Sequence, residues 1–278
     1  MNYRHAFHAG NFADVHKHVV LLALLARLIE KPKPLLYLDT HAGRGWYDLR
    51  SDAAIRGGEW QDGVERVRDY TAGSSELHLY LQTLRAVQPD EWHYPGSPLL
   101  ALHVLRENDR AVFVEKQLQE ASALQQALRR RRGASVVHGD GYAALKTYLP
   151  PREQRGLVLI DPPYESEREF ADVVRALAFG LQRWPMGVFA IWYPIKAGTQ
   201  VRRFHASLRE TGLRKLLQVE LNIRPASSPL GLNGSGMLLT NPPWQFEEQM
   251  ARATTELLHV LAPDAAAGAA TVDWLVPE

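Results

Sequence analysis

Short apolar runs alternate with segments of helical periodicity along most of this chain, and that alternation limits the possible folds more than any other feature. Seven of the runs read as strands: Leu35–Asp39, Ala111–Glu115, Ser135–His138, Leu157–Ile160, Gly187–Tyr193, Leu216–Ile223 and Gly236–Thr240. Strands separated by helices of about 10–15 residues are typical of βαβ units, which build a mostly parallel sheet. The last two runs have no helix between them. We therefore predict an α/β fold with a seven-stranded, mostly parallel sheet that contains one antiparallel strand.

Helical patterns account for most of the remaining chain. Asp14–Glu30 has the apolar spacing of an amphipathic helix, and prolines follow it. Residues 48–93 show helical spacing without a strand pattern, which predicts a small helical insertion subdomain inside a single domain spanning residues 1–278. Ala265–Ala270 contains only alanine and glycine, and we predict a loop there.

The composition excludes several classes of protein. A hydrophobic fraction of 46% with 23% charged residues is ordinary for a globular chain and excludes disorder. The absence of cysteine excludes disulfides, thiolate zinc sites, iron–sulfur clusters and a cysteine nucleophile. Four histidines lie near the amino terminus, at His5, His8, His16 and His18. Because no carboxylate triad accompanies them, we predict packed and substrate-facing histidines and no metal site.

The charge and the apolar runs bear on partners. A net charge of +1 is too small for a protein that coats nucleic acid, so local clusters such as Arg129–Arg132 and Arg202-Arg203 would have to supply any such affinity. The longest apolar run, Val19–Ala26, is far shorter than the ~20 residues that cross a bilayer. We expect a soluble cytoplasmic monomer with no membrane partner.

Polar residues and glycines follow each of the first three predicted strands. His41 and Gly43 come after the first strand, Glu115 ends the second, and Asp140 with Gly141 follows the third. The carboxyl ends of parallel strands share one edge of a sheet, where ligands bind. A carboxylate after the second strand can accept hydrogen bonds from ribose hydroxyls, and one after the third can accept from an adenine amino group. The pattern predicts a nucleoside-bearing cofactor, although Asp140 alone also suits a helix cap.

The spacing disfavours a nicotinamide dinucleotide. Its fingerprint needs three glycines and an acidic residue about 20 residues further on. Here the first turn has only Gly43 and Gly45, and Glu115 lies 76 residues beyond Asp39. S-adenosylmethionine carries an adenosine and an amino acid without phosphates, so it suits this turn better.

Asp161-Pro162-Pro163-Tyr164, at the end of the fourth predicted strand, is the most specific motif in the chain. Methylation of an exocyclic amine requires its delocalised lone pair to be localised and aimed at the methyl donor. The Asp161 carboxylate and a carbonyl of the proline turn can accept the two N–H groups, and Tyr164 offers a stacking face for an extruded base. We predict that Asp161, Pro162 and Tyr164 are catalytic.

A similar pattern, Asn241–Trp244, ends the last predicted strand. Asp161 ends a strand expected beside the first, where the methyl group should project, whereas Asn241 is expected further from the crevice. Placement therefore favours Asp161.

Several segments together resemble the ribosomal RNA large subunit methyltransferase J family. The resemblance is strongest in the unusual amino-terminal motif and spans nearly the full length. It rests on Tyr3–Asn11, Ala13–Val15, Lys17-His18, Tyr37–Gly43, Tyr94–Pro98, Ile160–Tyr164 and Trp274–Glu278.

The resemblance implies a Rossmann-like class I methyltransferase that uses S-adenosylmethionine to methylate N6 of one adenine in bacterial 23S rRNA, adenine 2030 in the family. S-adenosylhomocysteine would be the product, with no metal. The cofactor contacts that it implies are His18, His41, Gly43, Ser97, Glu115, Asp140, Gly141 and Asp161. It also implies that Tyr3, His5 and Lys17 approach the RNA or close over the site. The chain departs from the family pattern at Phe12, His16 and Arg44.

Two other functions stay open at the level of sequence. A DNA adenine-N6 or cytosine-N4 methyltransferase would share the chemistry, but such enzymes usually carry a larger recognition domain than the insertion found here. A non-catalytic RNA-binding protein on a relic fold would be expected to lack the acidic residues at the strand ends. Naked rRNA and an early assembly particle are both possible substrates.

Overall fold

The computed structural model describes residues 4–129, 131–225, 227–263 and 268–277. Within these ranges the chain forms one eight-stranded sheet and a separate two-stranded ribbon, flanked by helices. The strands are β1 Leu36–Asp39, β2 Trp46–Asp48, β3 His93–Pro95, β4 Arg110–Glu115, β5 Ala134–His138, β6 Gly156–Ile160, β7 Val188–Lys196, β8 Leu216–Asn222, β9 Leu232–Thr240 and β10 Ala269–Val276. The helices are α1 Phe12–Ile29, α2 Asp52–Gly57, α3 Val64–Arg68, α4 Ser75–Val87, α5 Ser97–Val104, α6 Leu118–Leu128, α7 Gly141–Tyr148, α8 Arg168–Arg183, α9 Gln200–Glu210 and α10 Phe246–Leu261.

The large sheet has the strand order β10-β8-β9-β7-β6-β1-β4-β5. Strands β5, β4, β1, β6 and β7 run parallel to one another, while β9 is antiparallel to both β7 and β8. The predicted α/β fold with a mostly parallel sheet is confirmed.

The predicted strand count is wrong, because β10 adds an eighth strand and a second antiparallel one. This strand lies at the edge of the sheet, and only Leu275 of its residues is buried. An edge strand with one covered position has a weak apolar pattern, which explains why the prediction missed it. Ala269 and Ala270, predicted to lie in a loop, begin the strand. Residues 265–267 of that predicted loop lie outside the described residues.

Alternating side chains of the sheet build two apolar cores. Tyr37 and Phe113 point to the core that α1, α5, α6 and α10 cover. Leu36, Leu38 and Val112 point to the opposite core, under α7, α8 and α9. This two-sided burial explains why the parallel strands read as continuous apolar runs rather than as alternating patterns.

Residues 48–93 contain α2, α3 and α4, and the β2–β3 ribbon joins the two ends of this segment. The ribbon pairs Trp46 with Pro95 and Asp48 with His93, and each strand is too short to produce a strand pattern in the sequence. The segment also packs against the amino-terminal residues, because the Val64 amide donates to the carbonyl of Gly10 at 2.8 Å.

In the part of the chain that the structure describes, no helix has the length and apolarity to span a membrane.

Replacing Gly63 by alanine is expected to lower the free energy of unfolding by about 2–3 kcal/mol. The added Cβ would lie 2.1 Å from the carbonyl oxygen of Gly10 and 2.5 Å from the carbonyl carbon of Asn11, and backbone atoms cannot rotate away. Urea denaturation measures the effect. Gly139→Ala is the control, because its Cβ would meet nothing closer than 3.8 Å, and its cost should stay within about 0.5 kcal/mol. Equal stability of the two variants would contradict the tight packing.

Candidate active site

A cavity of about 660 Å³ opens at the carboxyl edge of the parallel strands and is closed on one side by the start of α1. Every predicted site residue that the structure describes lines it: His5, Lys17, His18, His41, Gly43, Ser97, Glu115, Asp140, Gly141, Asp161, Pro162 and Tyr164. Tyr3, the remaining predicted residue, lies outside the described residues. Side chains that are up to 159 positions apart in sequence thus share one concave surface.

Lys17 joins two carboxylates across this cavity. Its Nζ lies 2.8 Å from Oδ1 of Asp14 and 2.6 Å from Oδ2 of Asp161, and only 6% of its side chain is exposed. Burial would lower the pKa of Lys17, but the two carboxylates outweigh it and raise that pKa above its usual value. Lys17 is therefore a fixed positive charge that holds the Asp161 carboxylate.

Asp14 is a site residue that the sequence prediction missed. Its Oδ2 accepts from the Gly10 amide at 3.0 Å and lies 2.9 Å from Nε2 of His5, while Lys17 contacts Oδ1. Burial would raise the pKa of Asp14, but His5 and Lys17 outweigh it and hold that pKa well below the usual range. A signal was present in the sequence, because an acid and a lysine three positions apart shared the first turns of a helix with an apolar stripe.

Helix α1 presents these groups because its amino terminus is capped. The Asn11 side chain accepts from the Asp14 amide at 2.9 Å, and the helix begins at Phe12, two residues before the predicted start. Asn11, Asp14 and Lys17 are all buried. A buried charged group is stable only when it is paired and hydrogen-bonded, so this helix face is constrained by its polar partners.

The end of β1 carries a buried carboxyl group beside the cavity. Asp39 accepts from the hydroxyls of Ser97 at 2.7 Å and Tyr37 at 3.1 Å, and from the His41 amide at 3.2 Å. Burial raises the pKa of Asp39 to about 6, and the nearby charge of Asp161 adds to the increase. Ser97, the first residue of α5, thus binds a strand-end carboxyl group.

The ends of β4 and β5 supply two more carboxylates. Glu115 accepts from the Gly43 amide at 2.9 Å and the Gln117 amide at 2.7 Å. Asp140 caps α7 by accepting from the amides of Tyr142 and Ala143, as its alternative interpretation predicted. Its other oxygen accepts from Lys116 at 3.2 Å. Both acidic residues line the cavity.

Two glycines, Gly43 and Gly141, line the cavity at positions where no side chain fits. A Cβ on Gly43, whose φ is +65°, would lie 2.3 Å from the Tyr47 hydroxyl. A Cβ on Gly141 would lie 2.0 Å from the carbonyl oxygen of Thr40. Neither position has space for a side chain, so both turns require glycine where they line the cavity.

The Asp161–Tyr164 turn ends β6 and is packed against aromatic rings. Tyr164 adopts φ 49°, and its hydroxyl donates to the carbonyl of Trp192 at 2.8 Å. Its ring centroid lies 4.6 Å from that of Phe170 and 5.7 Å from that of Trp192. The Trp192 ring also lies 6.0 Å from Nζ of Lys17. The sequence analysis did not predict Trp192 as a site residue, because it lies within a strand and belongs to no motif.

Three histidines near the cavity are neutral. Burial lowers the pKa of His16 and of His18 to about 3 and that of His41 to about 4. His18 hydrogen-bonds the Tyr94 hydroxyl at 2.8 Å, and His16 hydrogen-bonds Ser235 at 2.9 Å. Over the described ranges, no group of three or more His, Asp or Glu side chains is arranged to hold a metal ion.

The second proline motif lies on the opposite edge of the sheet. Because β9 runs antiparallel to β7, its end lies beside the start of β7, away from the cavity. The Asn241 side chain donates to the carbonyls of Pro185 and Gly187, both at 2.9 Å, and Trp244 is 81% exposed.

Arg44, which departs from the family pattern, is paired with both carboxylate oxygens of Glu120 at 2.9 Å.

Comparison with known proteins finds similarity over nearly the whole chain. A family model described as ribosomal RNA large subunit methyltransferase D, RlmJ, matches residues 32–276. Ribosomal RNA large subunit methyltransferase J of Escherichia coli (strain K12) is 42% identical over 280 residues, and its counterpart in Haemophilus influenzae is 39% identical over 281 residues. Each alignment covers 100% of both chains. A crystal structure of a protein from Legionella pneumophila, 32% identical, has a TM-score of 0.88 and covers 96% of this chain and 98% of that one.

Asp39→Asn tests the buried carboxyl group. The folded-state pKa of about 6 lies above the ordinary value of 3.8. Its stabilising contribution is therefore complete below the ordinary value and is lost as the pH rises through about 6. Relative to wild type, the variant should gain about 2 kcal/mol in free energy of unfolding between pH ~4.5 and pH ~7.5. Urea denaturation at both pH values measures this. If the difference in free energy of unfolding between Asp39→Asn and wild type is the same at both pH values, the raised pKa of Asp39 is refuted.

Proposed function

The chain belongs to the ribosomal RNA large subunit methyltransferase J family, and from that premise we propose that it methylates the exocyclic N6 of an adenine in 23S rRNA with S-adenosylmethionine. Adenine 2030, the family target, is the proposed nucleotide. The supporting observation is the convergence of Asp161, Glu115 and Asp140 on one cavity, with Lys17 ion-paired to Asp161.

The cavity wall fits the cofactor. Glu115 and Asp140 each present carboxylate oxygens with further lone pairs, suited to ribose hydroxyls and to an adenine amino group. Gly43 and Gly141 line the same wall and present no side chain there. We propose that these four residues, together with Ser97, His41 and His18 of the same cavity, hold S-adenosylmethionine. When bound, the cofactor supplies an electrophilic methyl group on a positively charged sulfur.

Asp161 is the proposed acceptor for the target amine. Lys17 contacts Oδ2 of Asp161, so Oδ1 is proposed to accept one amine N–H. A carbonyl of the turn, at Asp161 or Pro162, would accept the other. Two acceptors draw the nitrogen lone pair out of conjugation and orient it. As the nitrogen gains the methyl group it loses one proton, which Asp161 or water accepts.

Lys17 is proposed to position Asp161 through their ion pair. Its own charge is anchored by Asp14, so the ion pair does not depend on a mobile side chain. The Tyr164 hydroxyl is held by Trp192, and its ring offers part of an aromatic wall for the extruded base. Tyr3 and His5 are proposed to contact the RNA or close over the site.

The wider arrangement follows from the same proposal. We propose a monomer in which residues 48–93 form an insertion subdomain within a single domain. The partner is 23S rRNA, naked or in an early particle, and the product is S-adenosylhomocysteine.

Asp161→Ala is expected to lower methyl transfer at least about 100-fold, because the amine loses its charged acceptor. Asn241→Ala is the matched control from the second proline motif. It loses two hydrogen bonds and about 1–2 kcal/mol of stability, yet it should keep its rate within about twofold of wild type. Mass spectrometry of nucleosides from undermodified rRNA measures both, at a temperature where both variants are folded. A reversed order would show that the wrong motif was assigned.

Lys17→Ala is expected to reduce turnover about 10- to 100-fold and to change the Kd for S-adenosylhomocysteine by less than about threefold. The variant leaves Asp161 without its fixed partner, whereas Glu115 and Asp140 keep theirs. Lys116→Ala, which removes an exposed cation from the same cavity, is the control and should keep its turnover within about threefold. Equal losses of turnover and affinity in Lys17→Ala would contradict a role directed at the substrate. Calorimetry and rRNA methylation assays supply the two quantities.

A further inference from the structure

Glu59, in the insertion, binds two side chains of the amino-terminal segment. Its Oε1 lies 2.9 Å from Nδ1 of His8, and its Oε2 accepts from Nδ2 of Asn11 at 2.8 Å. All three residues line the cavity. Burial would raise the pKa of Glu59, but the hydrogen bonds from His8 and Asn11 outweigh it and lower that pKa. Glu59 therefore accepts these bonds as a carboxylate.

The backbones around Glu59 are also in close contact. A Cβ on Gly57 would lie 2.2 Å from the carbonyl oxygen of Phe7, and one on Gly63 would lie 2.1 Å from that of Gly10. Two glycines thus flank Glu59 and allow the insertion to approach the amino-terminal segment at backbone distance. The carboxylate is held at a fixed position against that segment.

The contact with Glu59 adds a second constraint on the orientation of the Asn11 amide. Donation from Nδ2 to Glu59 leaves Oδ1 of Asn11 directed at the Asp14 amide, which it caps at 2.9 Å. Glu59 reinforces this orientation, because each end of the amide then has a matching partner: Nδ2 donates to the carboxylate and Oδ1 accepts from the Asp14 amide. Asp14 in turn holds Lys17, and Lys17 holds Asp161. A continuous polar chain therefore runs from the insertion to the proposed acceptor of the amine.

We propose that Glu59 is a positioning residue for methyl transfer, acting through Asn11 and α1 on the Lys17–Asp161 pair. This inference rests on the proposed function, since the positioned pair is the one that would receive the amine. Glu59 hydrogen-bonds His8 and Asn11, whereas Glu115 and Asp140 bind the Gly43 amide and Lys116, so its proposed role is in orientation of the acceptor and not in cofactor affinity. It also makes the insertion a support for the catalytic carboxylate.

The test is a double-mutant cycle between Glu59→Ala and Asn11→Ser. Serine at position 11 keeps an oxygen that can cap α1 but lacks the donor to Glu59, so each variant removes the same hydrogen bond from one side. Asp62→Ala is the matched control, because Asp62 is an acid of the same insertion turn that pairs with Arg66 instead. Wild-type methyl transfer to undermodified rRNA is measured first. If wild type transfers no methyl group, the proposed function fails before the inference is tested.

Each single variant is expected to lower kcat about 10- to 100-fold, with the Kd for S-adenosylhomocysteine within about twofold of wild type. The double variant should lose little beyond Glu59→Ala, because Glu59→Ala has already removed the hydrogen bond that Asn11→Ser removes. Asp62→Ala should match wild type. Hydrogen–deuterium exchange of the ligand-free proteins should be faster over residues 4–17 in Glu59→Ala and Asn11→Ser, and unchanged in Asp62→Ala.

Three results would overturn the inference while leaving the proposed function intact. These are unchanged kcat in both single variants, losses that multiply in the double variant, or a loss of cofactor affinity equal to the loss of kcat. If Glu59→Ala does not fold, the kcat of Asn11→Ser alone tests the inference. That variant removes the same hydrogen bond and keeps an oxygen that can cap α1.

Discussion

The pairing of one buried lysine with two carboxylates is the interaction on which the rest of this structure depends. Lys17 would be costly to bury alone, and so would Asp14. Together with Asp161 they form a network that spans α1 and the end of β6. The network requires the capped start of α1 to lie against the carboxyl edge of the sheet. That requirement locates the cavity.

The remaining elements support this arrangement from both sides. The parallel strands bring Asp39, Glu115 and Asp161 to one edge, while α5 supplies Ser97 to the buried Asp39 carboxyl. From the other side, residues 48–93 contact the segment that precedes α1 through Glu59 and closely packed glycines. Charge pairing, backbone packing and strand order all act on the position of the Asp161 carboxylate.

Much of this could be predicted from sequence, because parallel strands place their carboxyl ends together whatever the details of packing. That rule brought residues as distant as His41 and Asp161 into one predicted site, and the α/β fold and the family resemblance are confirmed. Glu59 escaped prediction because its role depends on contacts with residues of another segment. The spacing of Asp14 and Lys17 in α1 was visible in the sequence, but their joint contact with Asp161 depends on the fold. Strand β10 escaped because an edge strand covered on few positions leaves little apolar pattern.

The central claim is that the Asp161 carboxylate, held by Lys17, faces the target amine beside the cofactor. A crystal structure of the protein with S-adenosylhomocysteine and adenosine monophosphate tests it most directly. The account predicts the cofactor product against Glu115 and Asp140, with the adenine amine within hydrogen-bonding distance of Asp161. A structure with the adenine amine bound elsewhere, or with the cofactor product outside this cavity, would contradict it.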